Sequence, residues 1–229
     1  MTGSALLLDP DQWQAVRLTL RVALMAVAGT LPVALLLAFL LARWRLPPLD
    51  VLVHLPMVLP PVVTGWLLLL VFGLHGPVGA LLWWLFGARL VFTTTGAALA
   101  TGVMTLPLMV RTIRVSLEAI DPGLEAAAAG LGAGPLDRFV TVTLPLAAPG
   151  VLAAAAIGYA ASLGEFGAVI TFAGNIPGQT QTLPLAIYGA LQVPDGEAVA
   201  ARLASVSILL ALAGLLATEL LNRRLRGRV

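Results

Sequence analysis

The sequence predicts an all-α integral membrane protein with five full transmembrane helices, one short external or re-entrant helix, and a cytoplasmic helical loop. Three observations lead there. Of 229 residues, 59% are apolar and 10% charged, and the mean hydropathy is +0.99; so much apolar surface cannot be folded inside a soluble globule of this size. Five apolar stretches reach the roughly 20 residues that a helix needs to cross a hydrocarbon core. The basic residues also divide unevenly between the two sides that those stretches define.

The first apolar stretch covers residues 16–44. No basic region precedes it, and Asp9 and Asp11 stand where a secretory signal would carry Lys or Arg, so the segment is expected to be retained. The second, residues 51–74, contains "HLPMVLPPVVTGW", with Pro56, Pro60, Pro61 and Gly65. Each proline removes a backbone donor that lipid cannot replace, so a broken helix here needs protein or water beside it. It either lines a pathway or is a kink packed on neighbouring helices. "GALLWWLFGARL", with Trp83 and Trp84, suits the external interface, where indoles rest among headgroups. The third, fourth and fifth stretches cover residues 91–114, 142–163 and 199–221.

With the N-terminus outside, Arg43, Arg45, Arg111, Arg114, Arg138, Arg223, Arg224, Arg226 and Arg228 fall on the cytoplasmic side and Arg17, Arg21, Arg89 and Arg202 outside, which sets the orientation and leaves the C-terminus cytoplasmic. A further full span through residues 184–193 would move Arg111, Arg114 and Arg138 out, so that segment is expected to be the short external or re-entrant helix.

Composition excludes several functions. There is no cysteine, hence no disulfide or thiolate metal site, and His54 and His75 are too few for a metal cage. All thirteen basic residues are arginine; a phosphate loop of the G-x-x-x-x-G-K-[ST] type needs a lysine, so this chain is not expected to hydrolyse ATP by that route. The pI of 9.9 reflects arginines spread over short loops, which fits membrane orientation better than nucleic-acid binding. No H-E-x-x-H or G-x-S-x-G motif suggests an intramembrane enzyme. A proton-coupled carrier would need buried ionisable groups. Glu165 is the main candidate, because Glu219 can pair with Arg223 at i,i+4. A bare carboxylate facing a dianion's route would repel it, so Glu165 is expected to be paired, hydrogen-bonded or turned away, near the outer end of the fourth span.

Between the third and fourth spans lies "EAAAAGLGAGPLDRFVTVTLPLAAPG". Glu125 and Ala126 to Ala129 favour helix, with the acid in the first turn where the macrodipole stabilises it; Gly130, Gly132 and Gly134 then let the chain turn. Two short helices with a sharp bend are expected. Bulk at Gly132 should crowd that bend. The alanines leave a face of little bulk that another protein could approach closely, while Phe139, Leu144 and Leu146 steer the chain back to the bilayer at a Leu-Pro stop. A plain linker is the alternative.

This stretch resembles the cytoplasmic EAA loop of permease subunits from binding-protein-dependent ABC importers, with the pattern E-A-A-x-x-x-G-x9-I-x-L-P. Gly132, nine residues, then Val142, Leu144 and Pro145 match in register; Glu125 stands one place early, and Ala127 and Ala128 fill the alanine positions. "LPPVVTGWLLLLVFG" and "SLGEFGAVITFAGNIPGQTQTLPLAIY" extend the resemblance from Val16 to Leu221, within that family to permeases for tetrahedral oxyanions, molybdate or tungstate before sulfate. It implies one transmembrane domain over residues 1–229 with a coupling loop at about 116–141. Its partners would be a second permease copy, two cytoplasmic ATPase subunits carrying ATP and Mg, an external oxyanion-binding protein and membrane lipid. This chain itself would bind no cofactor, metal or nucleic acid and would have no catalytic residue. Glu125, Ala126, Ala127, Ala128, Gly132, Leu144 and Pro145 would couple to the ATPase. Pro60, Pro61, Glu165, Thr171 and Asn175 would belong to the pathway or gate, since weak neutral donors let an ion leave where a tight clamp would hold it. Gln179, Thr180, Gln181 and Thr182 are further donors of that kind.

Overall fold

The structure, a computed structural model, describes residues 8–226; the side chains of residues 215 and 217–226 lie outside the description, and with them the Glu219–Arg223 pair. Among the described residues every regular element is helical. Four helical stretches are long and apolar enough to cross a membrane, and a fifth candidate is broken.

Helix α1 (Pro10–Arg43) starts where Pro10 fits the first helical position. The Asp9 N–H donates to Gln12 Oε1 (3.2 Å), and Gln12 Nε2 donates to Asp9 Oδ2 (3.3 Å). The second expected span is two helices, α2 (Pro47–Val58) and α3 (Pro61–Phe72), bent by 119°. Leu59 and Pro60, each preceding a proline, take extended ψ values of 145° and 134°, as the ring of the following proline demands. Pro61 then starts α3.

Helix α4 (Pro77–Phe86) is a short apolar helix ending at Gly87, φ +60°. Helix α5 (Thr94–Glu118) begins three residues later than expected because Phe92 occupies a left-handed turn, φ +59°. Thr93 Oγ1 caps it by accepting from the Gly96 N–H (3.0 Å). It also runs beyond Arg114, whose Nε donates to Glu118 one turn on (2.7 Å).

The bend consists of α6 (Pro122–Gly130) and α7 (Pro135–Arg138). The expected Leu-Pro stop is absent: the chain continues helically from α7 through a π-helical turn, Phe139–Thr143, into α8 (Leu144–Leu163). Pro145 has no N–H for the Thr141 carbonyl, and its ring crowds that oxygen, so the turn widens to an i→i+5 spacing, with the Leu144 N–H on the Phe139 carbonyl.

Helix α9 (Gly167–Ala173), a loop, α10 (Leu183–Leu191) and α11 (Glu197–Arg226) complete the chain. At nine residues, α10 is about 14 Å long and too short to cross. Helices α1, α5 and α8 pack around Val27, Ala34, Ala38, Met109, Val110, Ile113, Ala147 and Ala154. Small residues permit the close approach: Gly158 admits Met109 and Gly150 admits Ser116.

Candidate functional site

Two regions gather the residues that the sequence singles out. The first is the bend. Asp121 caps α6 by accepting from the Gly123 N–H (2.8 Å), and Pro122 occupies its first position. At the other end the Ala133 N–H donates to the Ala128 carbonyl and the Gly132 N–H to the Ala129 carbonyl, both 3.0 Å. That is a Schellman ending, and its left-handed residue is Gly132, φ +90°. The space around Gly132 is open to 4 Å, so the expected crowding is absent and backbone conformation alone favours glycine here.

Ala126 and Ala127 are exposed and Ala128 is half-buried. Beside them stand Leu131, 90% exposed, and Leu136, 75% exposed, two apolar side chains that the sequence, with its glycines and prolines there, did not single out. Pro145 is exposed and Leu144 half-buried at the head of α8.

Glu125 turns inward. Its Oε1 accepts from Arg43 Nη2, at the end of α1, and from Thr143 Oγ1 (2.6 Å), the last residue of the π turn. Burial pushes the carboxyl up, but the bonds from Thr143 and Arg43 and the charges of Arg43 and Arg138 outweigh it and hold Glu125 below the ordinary carboxylate value. Sequence reading missed Arg43 and Thr143 as partners, since Arg43 lies 82 positions away.

The second region is a pair of helix breaks. Successive contacts order α8 and α9 along α5: Gly150 lies on Ser116, Gly158 on Met109, and Phe172 on Gly96. Glu165 sits just past the end of α8, as expected, in the break before α9, which continues along α5. Its Oε1 accepts from the Ala168 N–H (3.0 Å), so the carboxylate is hydrogen-bonded to the first turn of α9. The break at Pro60 and Pro61 meets this one. A β-carbon on Gly167 would lie 2.6 Å from Pro61 Cβ, and one on Gly65 would lie 2.7 Å from Thr171 Cβ and 2.8 Å from the Ala168 carbonyl. Helices α3 and α9 thus run side by side in the same direction from adjoining breaks, with Pro60 and Pro61 exposed.

The neutral donors are largely occupied. Thr171 Oγ1 donates to the Gly167 carbonyl (2.9 Å) and Asn175 Nδ2 to the Leu185 carbonyl (3.2 Å). Thr180, fully buried, donates to the Gly174 carbonyl and accepts from the Ile176 N–H. Buried Asn175 Oδ1 and Thr182 Oγ1 have no hydrogen-bond partner, and Gln179 is exposed. These residues fix the loop between α9 and α10.

A bundle of apolar helices, four of them long enough to cross a membrane and a fifth candidate broken, defines a multi-pass helical membrane protein. The chain belongs to the family of binding-protein-dependent transport system inner membrane components, which it matches over residues 13–227. It is 50% identical over 226 residues to the molybdenum transport system permease protein ModB of Escherichia coli K12, covering 97% of this chain and 98% of that one. It is 47% identical to ModB of Haemophilus influenzae, covering 94% and 95%. Identity to the sulfate transport system permease protein CysT of Escherichia coli K12 is 37%, over 88% of this chain and 75% of that one. Among solved structures, a bacterial alginate ABC transporter crystallised with its alginate-bound periplasmic protein superposes with TM-score 0.75 at 18% identity, over 96% and 81% of the two chains, which establishes the shared fold.

Proposed function

We propose that the chain is the permease subunit of an ATP-driven importer that carries molybdate, or tungstate, across the inner membrane. The observation that carries this is the 50% identity to a molybdenum permease along 97% of the chain; the sulfate permease at 37% identity makes sulfate the second reading. Importing a dianion into a cell that is negative inside costs about 4.6 kcal/mol per 100 mV, at roughly 2.3 for each charge. The energy must come from elsewhere, and this sequence carries no phosphate loop. In this reading two cytoplasmic ATPase subunits bind the ATP and Mg, two copies of this chain form the path, and an external protein delivers the oxyanion.

The domain is single over residues 1–229, with the coupling loop at about 116–141. There are five crossings: α1, the broken pair α2–α3, α5, α8 with α9, and α11. In support, the end of α1 meets α6 through Arg43 and Glu125, while near its start the Leu183 N–H donates to Thr19 Oγ1 (2.7 Å), so the bend and the α9–α10 loop lie at opposite ends of α1. The arginine distribution makes the bend cytoplasmic and the N-terminus external.

The exposed alanine face of α6, with Gly132, Leu144 and Pro145 shaping its approach, meets the ATPase. The gate is the junction where Pro60 and Pro61 meet the break around Glu165, followed outward by Thr171 and Asn175. Closure of the ATPases on ATP rocks the helices between inward-open and outward-open states. The experiment is reconstitution: the chain should co-purify with an ATPase subunit, and vesicles should take up molybdate only with ATP. Uptake driven by a proton gradient without ATP would favour a secondary carrier and defeat the proposal.

A further inference from the structure

We infer that Arg43, Glu125 and Thr143 form a latch that delivers movement of α6 to α1 and to the head of α8 together, so that Glu125 is a positioning residue within this chain and not a contact for the ATPase. The inference rests on the reading of α6 as the coupling helix.

A nine-residue helix between a turn and a glycine bend is a poor lever by itself, because its covalent links at residues 119–121 and 131–134 can flex without moving a span. The carboxylate supplies the missing stiffness. A single oxygen, Glu125 Oε1, takes both the guanidinium of Arg43 and the hydroxyl of Thr143, and charge-assisted bonds of this kind are among the stronger ones a protein makes. Thr143 is 2% exposed, and the Glu125 side chain 16%, whereas Ala126, Ala127 and Leu131 beside it face outward. The acid thus points to the membrane domain while its neighbours point away from it.

Aromatic packing reinforces the join. The Arg43 guanidinium lies 5.4 Å from the centre of the Phe39 ring, and Phe39 meets Phe139 of the π turn edge to face at 5.0 Å. From Arg43, α1 is one continuous helix of 34 residues that reaches the loop between α9 and α10, where Gln14 lies against Gly178 and Thr19 holds Leu183. A displacement of α6 therefore has a continuous helical route to the far end of the domain, entered at Arg43, 82 positions from Glu125, and carrying Pro32 in its interior.

The test uses the full transporter in vesicles, with ATPase retention, ATP hydrolysis and molybdate uptake measured together. Glu125→Ala and Arg43→Gln should each keep the ATPase attached and lower uptake per ATP by roughly tenfold, with Thr143→Val smaller in the same direction. Exchanging the charges, Arg43→Glu with Glu125→Arg, should recover most of what either half loses. The chain has no cysteine, so Arg43→Cys with Glu125→Cys offers a single pair for a flexible bis-maleimide, whose arms stand in for the two long side chains that a direct disulfide could not replace: the cross-linked complex should still transport, because α1 and α6 move as one. A cross-link that forms but stops transport, wild-type coupling in both single variants, or loss of the ATPase by Glu125→Ala alone would each overturn the latch. Failure of the unmodified chain to hold an ATPase would instead remove the coupling-helix reading.

Discussion

Gly167 and Pro61 join the two helix breaks: a β-carbon on Gly167 would stand 2.6 Å from Pro61 Cβ, closer than such atoms ever pack. One turn further on, Gly65 stands against Thr171 and the Ala168 carbonyl in the same way. Two glycines, Gly167 of α9 at the break contact and Gly65 of α3 four residues beyond Pro61, let α3 and α9 run side by side in close contact. Both breaks leave backbone groups without helical partners, and close protein packing is what makes such backbone tolerable in a membrane.

The first prediction follows from that spacing. Gly65→Ala meets the Ala168 backbone, which cannot rotate away, so it should cost about 1–3 kcal/mol as an overpacked contact. Gly167→Ala meets a proline ring and should act similarly. Thermal unfolding in detergent and oxyanion uptake check both; unchanged stability with unchanged uptake would show that α3 and α9 separate freely.

Glu165 gives a second. Its Oε1 accepts from the Ala168 N–H, and a glutamine oxygen can accept the same bond, so Glu165→Gln isolates the charge. Assembly with the ATPase should be preserved while uptake or basal ATP hydrolysis changes. Glu165→Ala also removes the bond at the start of α9 and should lose about 1 kcal/mol more in detergent stability. Wild-type transport by the glutamine variant would leave the acid with a purely structural role.

Topology supplies a third. The proposed five crossings, oriented by the arginine distribution, would place a tag after Val229 in the cytoplasm and one at Ser4 outside, both positions beyond the described residues. Protease or thiol-reagent accessibility in intact cells distinguishes them. Both tags on one side would mean an even number of crossings, with α2–α3 entering and leaving on the same face.

Much of this was legible in the residues. Long apolar runs marked α1, α5, α8 and α11, and Glu125 to Gly134 announced two short helices with a bend, because propensity and glycine placement are local properties. Consecutive prolines marked the second span as broken, though not by 119°, since the angle depends on where α3 finds its partner, α9. Pro145 was misread as a stop because a proline can also be absorbed by a π turn when the flanking residues remain helical. Gly164 and Gly167 marked the end of α8 beside Glu165; only packing against α5 reveals that a further helix, α9, continues beyond it. The partners of Glu125 had no local signature, since a pair 82 positions apart is set by the fold.

The last prediction concerns Gly132. Its φ of +90° closes a Schellman turn that aims α7 back towards the membrane, and a side chain there would find open space but the wrong backbone region. Gly132→Leu should therefore cost about 1–3 kcal/mol of local strain, paid by unwinding the last turn of α6 and turning the alanine face away from its partner. Gly132→Asn, which tolerates left-handed conformations better, should be milder, and Gly132→Ala should behave like leucine despite its small size, because strain and not volume is responsible. Membrane abundance should remain normal for all three, while ATPase co-purification and uptake should fall in the order asparagine, then alanine and leucine together. An alanine variant with full transport and an inactive leucine variant would mean that bulk decides, placing Gly132 in the partner's contact surface.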